Sequence, residues 1–281
     1  MIPSWIKIKD FDRREYLKTL EILEKNNLNT VCISANCPNR YECFSKKTAT
    51  FMILGDVCTR NCLYCNIKKG IPQLVDEEEP ERIAEAIKTL GIDYAVITCV
   101  TRDDLQDGGA EQFVRTVKEI RRKNPSCKIE LLISDLKGNP DALDKIIKEK
   151  PEVINHNIET VKRLFPKLRP KGSYERSLNM LRRVKESGII AKSGFMVGLG
   201  EKTEEVIKTI RDLKKAGCRM ITIGQYLQPN KKCVKVEKFY NETEFLELER
   251  IGERMGVKVV AGPLVRSSYK AKENEMEIIE A

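Results

Sequence analysis

The sequence predicts a parallel α/β fold, and three observations predict it. Short runs rich in Val, Ile, Phe and Tyr alternate regularly with amphipathic stretches. Most of these runs are continuously apolar, the pattern of strands buried on both faces. Several amphipathic stretches end in glycine, as at Gly91, Gly188 and Gly217, which suits a left-handed helix cap. Six strand–helix units in series close either as a barrel-like sheet or as an open doubly wound one. Both closures place chemistry at the carboxyl ends of the strands.

In chain order, strands are expected at Thr50–Asp56, Tyr94–Val100, Lys128–Asp135, Val153–Glu159, Ile189–Val197 and Met220–Leu227. Helices are expected at Glu81–Leu90, Ala110–Lys123, Pro140–Lys148, Tyr174–Ser187 and Thr203–Ala216, each with apolar residues three and four apart. In the second of these, Phe113, Val117 and Ile120 share a face. A last helix, Glu242–Met255, precedes a short run, Lys258–Ala261. The first forty-five residues read as irregular and cysteine-rich. Residues at strand ends include Asp56, Thr101, Arg102, Asp103, Asp104, Asp135, Asn157, Glu159 and Gln225.

The chain has 281 residues, 41% of them apolar and 33% charged, enough for a sizeable core and a soluble surface. No apolar run reaches the roughly 18 residues of a membrane span. The opening MIPSWIKIKDFDRREY lacks a secretory apolar run and cleavage site. A cytoplasmic protein is expected, and no membrane partner. The net charge of +9 comes from Lys and Arg dispersed among Glu and Asp, the pattern of solvated helix faces. An excess of this kind also suits an acidic protein partner or nucleic acid. Few aromatics interleave with the basic residues, so no nucleic-acid surface is expected.

Six of the ten cysteines fall within thirty-four residues: Cys32, Cys37, Cys43, Cys58, Cys62 and Cys65. A disulfide scaffold is short and secreted, and this chain is neither. Cys58, Cys62 and Cys65 form Cys-x3-Cys-x2-Cys in the loop after the first strand. Three thiolates can hold three irons of a 4Fe–4S cluster and leave the fourth open to a ligand. Zinc is the competing reading, but its sites favour four ligands in paired knuckles. Cys32-x4-Cys37-x5-Cys43 is a second triplet, and a second cluster is its natural occupant. The scattered Cys99, Cys127, Cys218 and Cys233 are read as buried or incidental thiols.

Cys-x3-Cys-x-aromatic-Cys after the first strand of a parallel α/β domain resembles the signature of radical S-adenosylmethionine enzymes. The resemblance implies a partial (β/α)6 TIM-like barrel, with an N-terminal cysteine-rich extension and a C-terminal extension. It implies that Cys58, Cys62 and Cys65 ligate the cluster, that its open iron chelates S-adenosylmethionine, and that Tyr64 faces the adenine. The two triplets together, with TRDDLQDGGA, HNIETV, KSGFMVGLGE, GQYLQP and GPLVRSSY, resemble the lipoyl synthase family over nearly the whole chain. That family implies a fourth ligand to the second cluster, a serine of Arg266-Ser267-Ser268-Tyr269; Ser268 is taken, with Ser267 as the alternative. It divides the chain into 1–46 with the auxiliary ligands, a 47–262 core, and 263–281 carrying the serine motif.

The activity implied is radical insertion of two sulfur atoms at C6 and C8 of a protein-bound octanoyl-lysine, the second cluster donating the sulfur. Another sulfur-inserting or methylthiolating radical enzyme is the alternative, and a zinc-bearing nucleic-acid-binding protein a remote one. The partners implied are octanoylated carrier domains of 2-oxoacid dehydrogenases or of the glycine cleavage system. A ferredoxin or flavodoxin reductant and a cluster-assembly carrier are also implied.

Weaker signals complete the site. Gly108 and Gly109 either let backbone approach the methionine part of the cofactor or start a helix capped by Asp107. Asn155, Asn157 and Glu159 share one side of a strand, facing the cofactor, with His156 pointing away. Lys192, Ser193 and Gln225 are expected to line the cavity, and Arg169 is a candidate for a carboxylate. Cys99 stands where the family pattern leads one to expect a serine.

Overall fold

The computed structural model describes residues 3–7 and 9–274. The chain divides into two compact units. One comprises Ile8–Arg60 with Asn66–Glu152, and the other Met1–Lys7, Asn61–Cys65 and Val153–Ala281. They are called here the N-terminal and C-terminal units.

The N-terminal unit begins with three helices where irregular chain was expected. Helix α1 (Arg13–Lys25) starts at Asp12, whose carboxylate accepts from the Arg14 and Glu15 amides, satisfying donors that the first turn leaves open. It buries Thr19 and Leu23, four residues apart. Helix α2 (Val31–Ser34) is capped by the Thr30 hydroxyl, and α3 (Arg40–Ser45) follows. The cap at Asp12 and the Thr19–Leu23 spacing were the signals for α1, obscured by the cysteine clustering that follows.

Strand β1 (Thr50–Ile53) is buried at every position. After it come a two-residue ladder, β2 (Val57–Cys58) with β3 (Lys68–Lys69), and helix α4 (Glu79–Leu90). Then follow β4 (Tyr94–Cys99), α5 (Ala110–Lys123), β5 (Lys128–Leu132) and α6 (Pro140–Lys148). β1 pairs parallel with β4, and β4 with β5. Phe113, Val117 and Ile120 of α5 are fully buried, as their spacing demands.

The C-terminal unit holds β6 (Val153–Asn155), α7 (Phe165–Leu168), α8 (Tyr174–Glu186), β7 (Ile190–Val197), α9 (Thr203–Lys215), β8 (Met220–Gln225), α10 (Glu242–Met255) and β9 (Lys258–Gly262). Its strands pair parallel in the order β6, β7, β8, β9. All six expected strands are present, and β9 is a seventh, where a short run was read. Five of the six stop short of the expected end, because the apolar run continues into the loop that leaves the sheet. The expected Val153–Glu159 strand, for example, ends at Asn155. The alternation argument for Asn157 and Glu159 therefore does not hold. Glu159 has a positive φ of 70° and rejoins the ladder through its amide, which donates to Gly194 O at 3.0 Å. Residues 1, 2, 8 and 275–281, parts of the expected terminal extensions, lie outside the described residues.

Candidate functional site

In the N-terminal unit Cys32, Cys37 and Cys43 come from α2, the turn after it, and α3. The Cys37 amide donates to Cys32 O at 3.0 Å, closing that turn. Burial pushes the Cys32 thiol up to about 11, and the nearby Cys37 adds to it. Burial also pushes Cys43 upward, reinforced by Cys32 and Cys37. The three sulfurs thus repel one another as thiolates in a desolvated place, a donor set that a cationic iron–sulfur cluster would neutralise. Among the described residues, no group of three or more His, Cys, Asp or Glu is placed to hold a single metal ion. A cubane cluster does not require one, since each thiolate takes its own iron.

Cys58 ends β2. Its carbonyl accepts from the Gly70 amide at 3.1 Å, and its sulfur accepts from the Arg60 amide at 3.4 Å. The Arg60 side chain grips Asp103 with two bonds of 2.8 Å and Asp135 with one of 2.6 Å. Thr59 bonds Thr101 O and accepts from the Asp103 amide. The cysteine loop is thereby lashed to the loops after β4 and β5. The Cys99 thiol is pushed up to about 12 by burial, with Cys58 among the causes, so it does lie near a proposed ligand.

Gly108 and Gly109 both have positive φ, 64° and 93°. The Asp107 carboxylate accepts from the Gly109 and Glu111 amides, so these glycines serve the start of α5. A Cβ on Gly109 would sit 2.3 Å from Leu54 Cδ1, so protein packing alone requires glycine there.

Cys62, Tyr64 and Cys65 belong to the C-terminal unit. The Leu63 amide donates to Leu168 O at 2.9 Å, and Leu63 O accepts from the Val234 amide at 3.0 Å. The Cys233 thiol donates to Cys65 O at 3.7 Å. Burial drives the Tyr64 hydroxyl upward; Glu159, Cys62 and Cys65 add to this and Arg169 opposes it. Burial also raises Glu159, against the nearby Arg169 and a hydrogen bond with Asn157. Arg169 donates to Asn157 O at 2.9 Å, and Ser267 donates to Asn157 Oδ1 at 2.8 Å. Tyr64, Asn157, Glu159, Arg169 and Ser267 therefore converge. Gly194 makes room for them, since a Cβ there would lie 2.4 Å from Thr222 Oγ1 and 3.1 Å from Asn157 Oδ1 and Ser267 Oγ. Ser268 is half-buried on the same loop.

Four residues expected to face the cofactor or line the cavity, Asn155, Lys192, Ser193 and Gln225, are fully buried. Gln225 is fully buried, and its amide nitrogen donates to Tyr226 O and Lys238 O at 3.0 Å while its oxygen accepts from the Tyr240 amide at 2.9 Å. It ties β8 to the 226–240 segment, whose Val234 and Cys233 hold the Cys62–Cys65 loop. Ser193 donates to His156 O. His156 is buried against Ser177 Oγ at 2.9 Å. Lys192 and Asn155 are buried side by side in register between β7 and β6. Gln225→Ala should destabilise the protein by about 2–3 kcal/mol, because buried main-chain groups lose their partners. Urea unfolding of the two proteins checks this, and an unchanged midpoint would refute it.

The sequence reading missed Arg60 and the hold of Cys233 and Val234 on the Cys62–Cys65 loop. An arginine between two cysteines of a tight motif was the available signal for the first. The second joins residues far apart in the chain and left no local one.

A Radical SAM superfamily model matches residues 52–224. The lipoyl synthase of Caldanaerobacter subterraneus subsp. tengcongensis is 52% identical over 273 residues, covering 96% of this chain and 95% of that one. That of Halalkalibacterium halodurans is 50% identical, covering 99% and 94%. Among solved structures, HydG, a maturase of the FeFe-hydrogenase, aligns with a TM-score of 0.61 at 17% identity, over 95% of this chain and 69% of that one. Methylornithine synthase (PylB) aligns at 0.58 and 16% identity, over 88% and 76%. At such identities these two establish the fold, a parallel α/β partial barrel.

Proposed function

The chain belongs to the lipoyl synthase family of the radical SAM superfamily, and from that premise we propose which residues do its work. The observation that carries the premise is 52% identity across nearly the full length of both chains. The reaction is radical insertion of two sulfur atoms at C6 and C8 of a carrier-bound octanoyl group. It uses S-adenosylmethionine and 4Fe–4S clusters, and octanoylated carrier proteins are its substrates. Unactivated C–H bonds at those carbons lie beyond side-chain acids and bases, so the bound cofactors supply the radical chemistry.

Cys58, Cys62 and Cys65 hold the cluster that engages S-adenosylmethionine. The amide donated to the Cys58 sulfur supports this reading, and so does the Leu63 anchoring that fixes the loop between the other two. Tyr64, Asn157, Glu159 and Arg169 form a polar pocket beside Cys62 and Cys65, suited to the cofactor's amino, carboxyl and ribose groups. Asn155 and Lys192 pair in register at the ends of β6 and β7 in the same unit, Gln225 braces the segment behind the loop, and Gly108 and Gly109 shape the loop after β4. Cys32, Cys37 and Cys43 hold the auxiliary cluster. Ser268 is its fourth ligand, supported by the commitment of the Ser267 hydroxyl to Asn157.

In functional terms the chain reads as 1–46 with auxiliary ligands, a 47–262 core ending at β9, and 263–281 with the serine motif. The reductant is a ferredoxin or flavodoxin, and a cluster-assembly carrier rebuilds the consumed cluster. The acyl carrier belongs to a 2-oxoacid dehydrogenase or the glycine cleavage system. No helix among the described residues is long and apolar enough to cross a membrane, and the proposed location is the cytoplasm.

Iron, sulfide and zinc per chain, measured after anaerobic reconstitution, test the assignment. About eight irons and eight sulfides are expected for two cubanes. About four irons would remove the auxiliary cluster, and zinc without iron would overturn both.

A further inference from the structure

We propose that the loop Gly70–Asp76 is the surface on which the acylated carrier domain docks while its arm reaches the Cys58 side of the site. The proposal rests on the sulfur-insertion reading above. Ile71 and Leu74 are each 96% exposed, whereas Leu17, the next most exposed large apolar side chain among the described residues, is 50% exposed. Single exposed aliphatics are ordinary on protein surfaces. Two at this exposure on one short loop mark a place where another surface supplies the cover.

The loop is fixed at both ends. At one end, β2 and β3 pair Cys58 with Lys69, and the Gly70 amide donates to Cys58 O at 3.1 Å. At the other, Gln112 Nε2 donates to Asp76 O at 2.8 Å. Pro72 narrows the backbone between them. The exposed pair is therefore held in place and rooted on a proposed cluster ligand, with Ile71 starting about 3.8 Å of chain beyond Gly70.

The reach of the substrate names the occupant. The lysyl-octanoyl arm has about a dozen bonds of ~1.5 Å between the lysine Cα and its reacting carbons, so it extends roughly 15 Å. A carrier whose reacting carbon lies near Cys58 has its body within that distance, which takes in the loop.

Charge complements the argument. Lys68 and Lys69 stand exposed at the foot of the loop. Lys68 pairs with Asp56 at the solvent-exposed surface, a contact that water weakens. The acidic residues after the loop make exposed pairs of the same kind, Asp76 and Glu78 with Arg82 and Glu77 with Arg115. The loop presents an apolar tip with two exposed lysines at its foot, which fits a carrier with an apolar patch and acidic side chains beside its acyl-lysine.

The test is the double variant Ile71→Ser/Leu74→Ser in the reconstituted full chain. It is assayed with an octanoylated carrier domain of a 2-oxoacid dehydrogenase and, separately, with a short octanoyl-lysyl peptide. The expected result is a KM for the carrier raised about ten-fold, with kcat and the peptide KM unchanged. Carrier affinity measured by fluorescence anisotropy should fall in parallel. A carrier KM within about two-fold of the parent's, or equal losses with carrier and peptide, would overturn the docking role while leaving the sulfur-insertion reading intact. A parent enzyme that thiolates neither substrate would sink that reading and the docking proposal with it.

Discussion

Cys62→Ala should abolish 5′-deoxyadenosine formation, whereas Cys37→Ala should preserve it and lose the thiolated product. The expected fall is at least about three orders of magnitude in each case, some 4 kcal/mol of barrier, but in different readouts. The asymmetry follows from the two triplets. Cys62 lies beside Tyr64 in a loop held by Leu168 and Val234, where S-adenosylmethionine is proposed to bind. Cys37 instead shares its surroundings with Cys32 and Cys43, where the sulfur donor is proposed. Each variant should hold about four irons. Measuring 5′-deoxyadenosine and thiolated peptide in one reaction decides the matter. Thiolated product from the Cys37 variant would contradict the donor role of the auxiliary cluster, and 5′-deoxyadenosine from the Cys62 variant would contradict the radical site.

These roles were legible in the sequence because cluster ligation is local: the cysteines of each triplet lie within a dozen residues of one another. The strands and most helices were legible for a similar reason. Continuous apolar runs and three-to-four spacing reflect burial, and Phe113, Val117 and Ile120 are buried as that spacing requires. What escaped was set by tertiary partners. Helix α1 buries only two residues, too faint a stripe to read beside six cysteines. Gln225 looked like a cavity residue because polar residues at strand ends often are. Its amide is instead engaged by main chain from residues 226, 238 and 240, which no local pattern announces. Asn157 and Glu159 do come together, but through a hydrogen bond after the strand has ended, not through strand alternation.

Arg60→Met should cost about 3–5 kcal/mol of stability, the loss expected when one partner of a buried ion pair is removed. The Arg60 side chain is 3% exposed, and it faces Asp135 at 1% and Asp103 at 22%. Desolvation works against its charge, yet the two carboxylates more than offset this and hold the guanidinium firmly protonated. Methionine fills much of the volume but leaves Asp135 buried without its cation, and the penalty lies there more than in the lost bonds. A rescue follows from that reasoning: adding Asp135→Asn to Arg60→Met removes the buried charge and should recover about half of the loss. Arg60→Lys should be intermediate, because an ammonium cannot span both carboxylates as the planar fork does. Urea unfolding of the four proteins in the metal-free state gives the comparison without interference from the clusters. If Arg60→Met costs under about 1 kcal/mol, the pair behaves as a surface one and the lashing of the cysteine loop lies elsewhere. The Arg60 main-chain donation to the Cys58 sulfur does not depend on the side chain. A folded Arg60→Met protein should therefore still take up iron at the first cluster. That separates the loop's anchoring, which the side chain provides, from the polarity around the ligand, which the backbone provides.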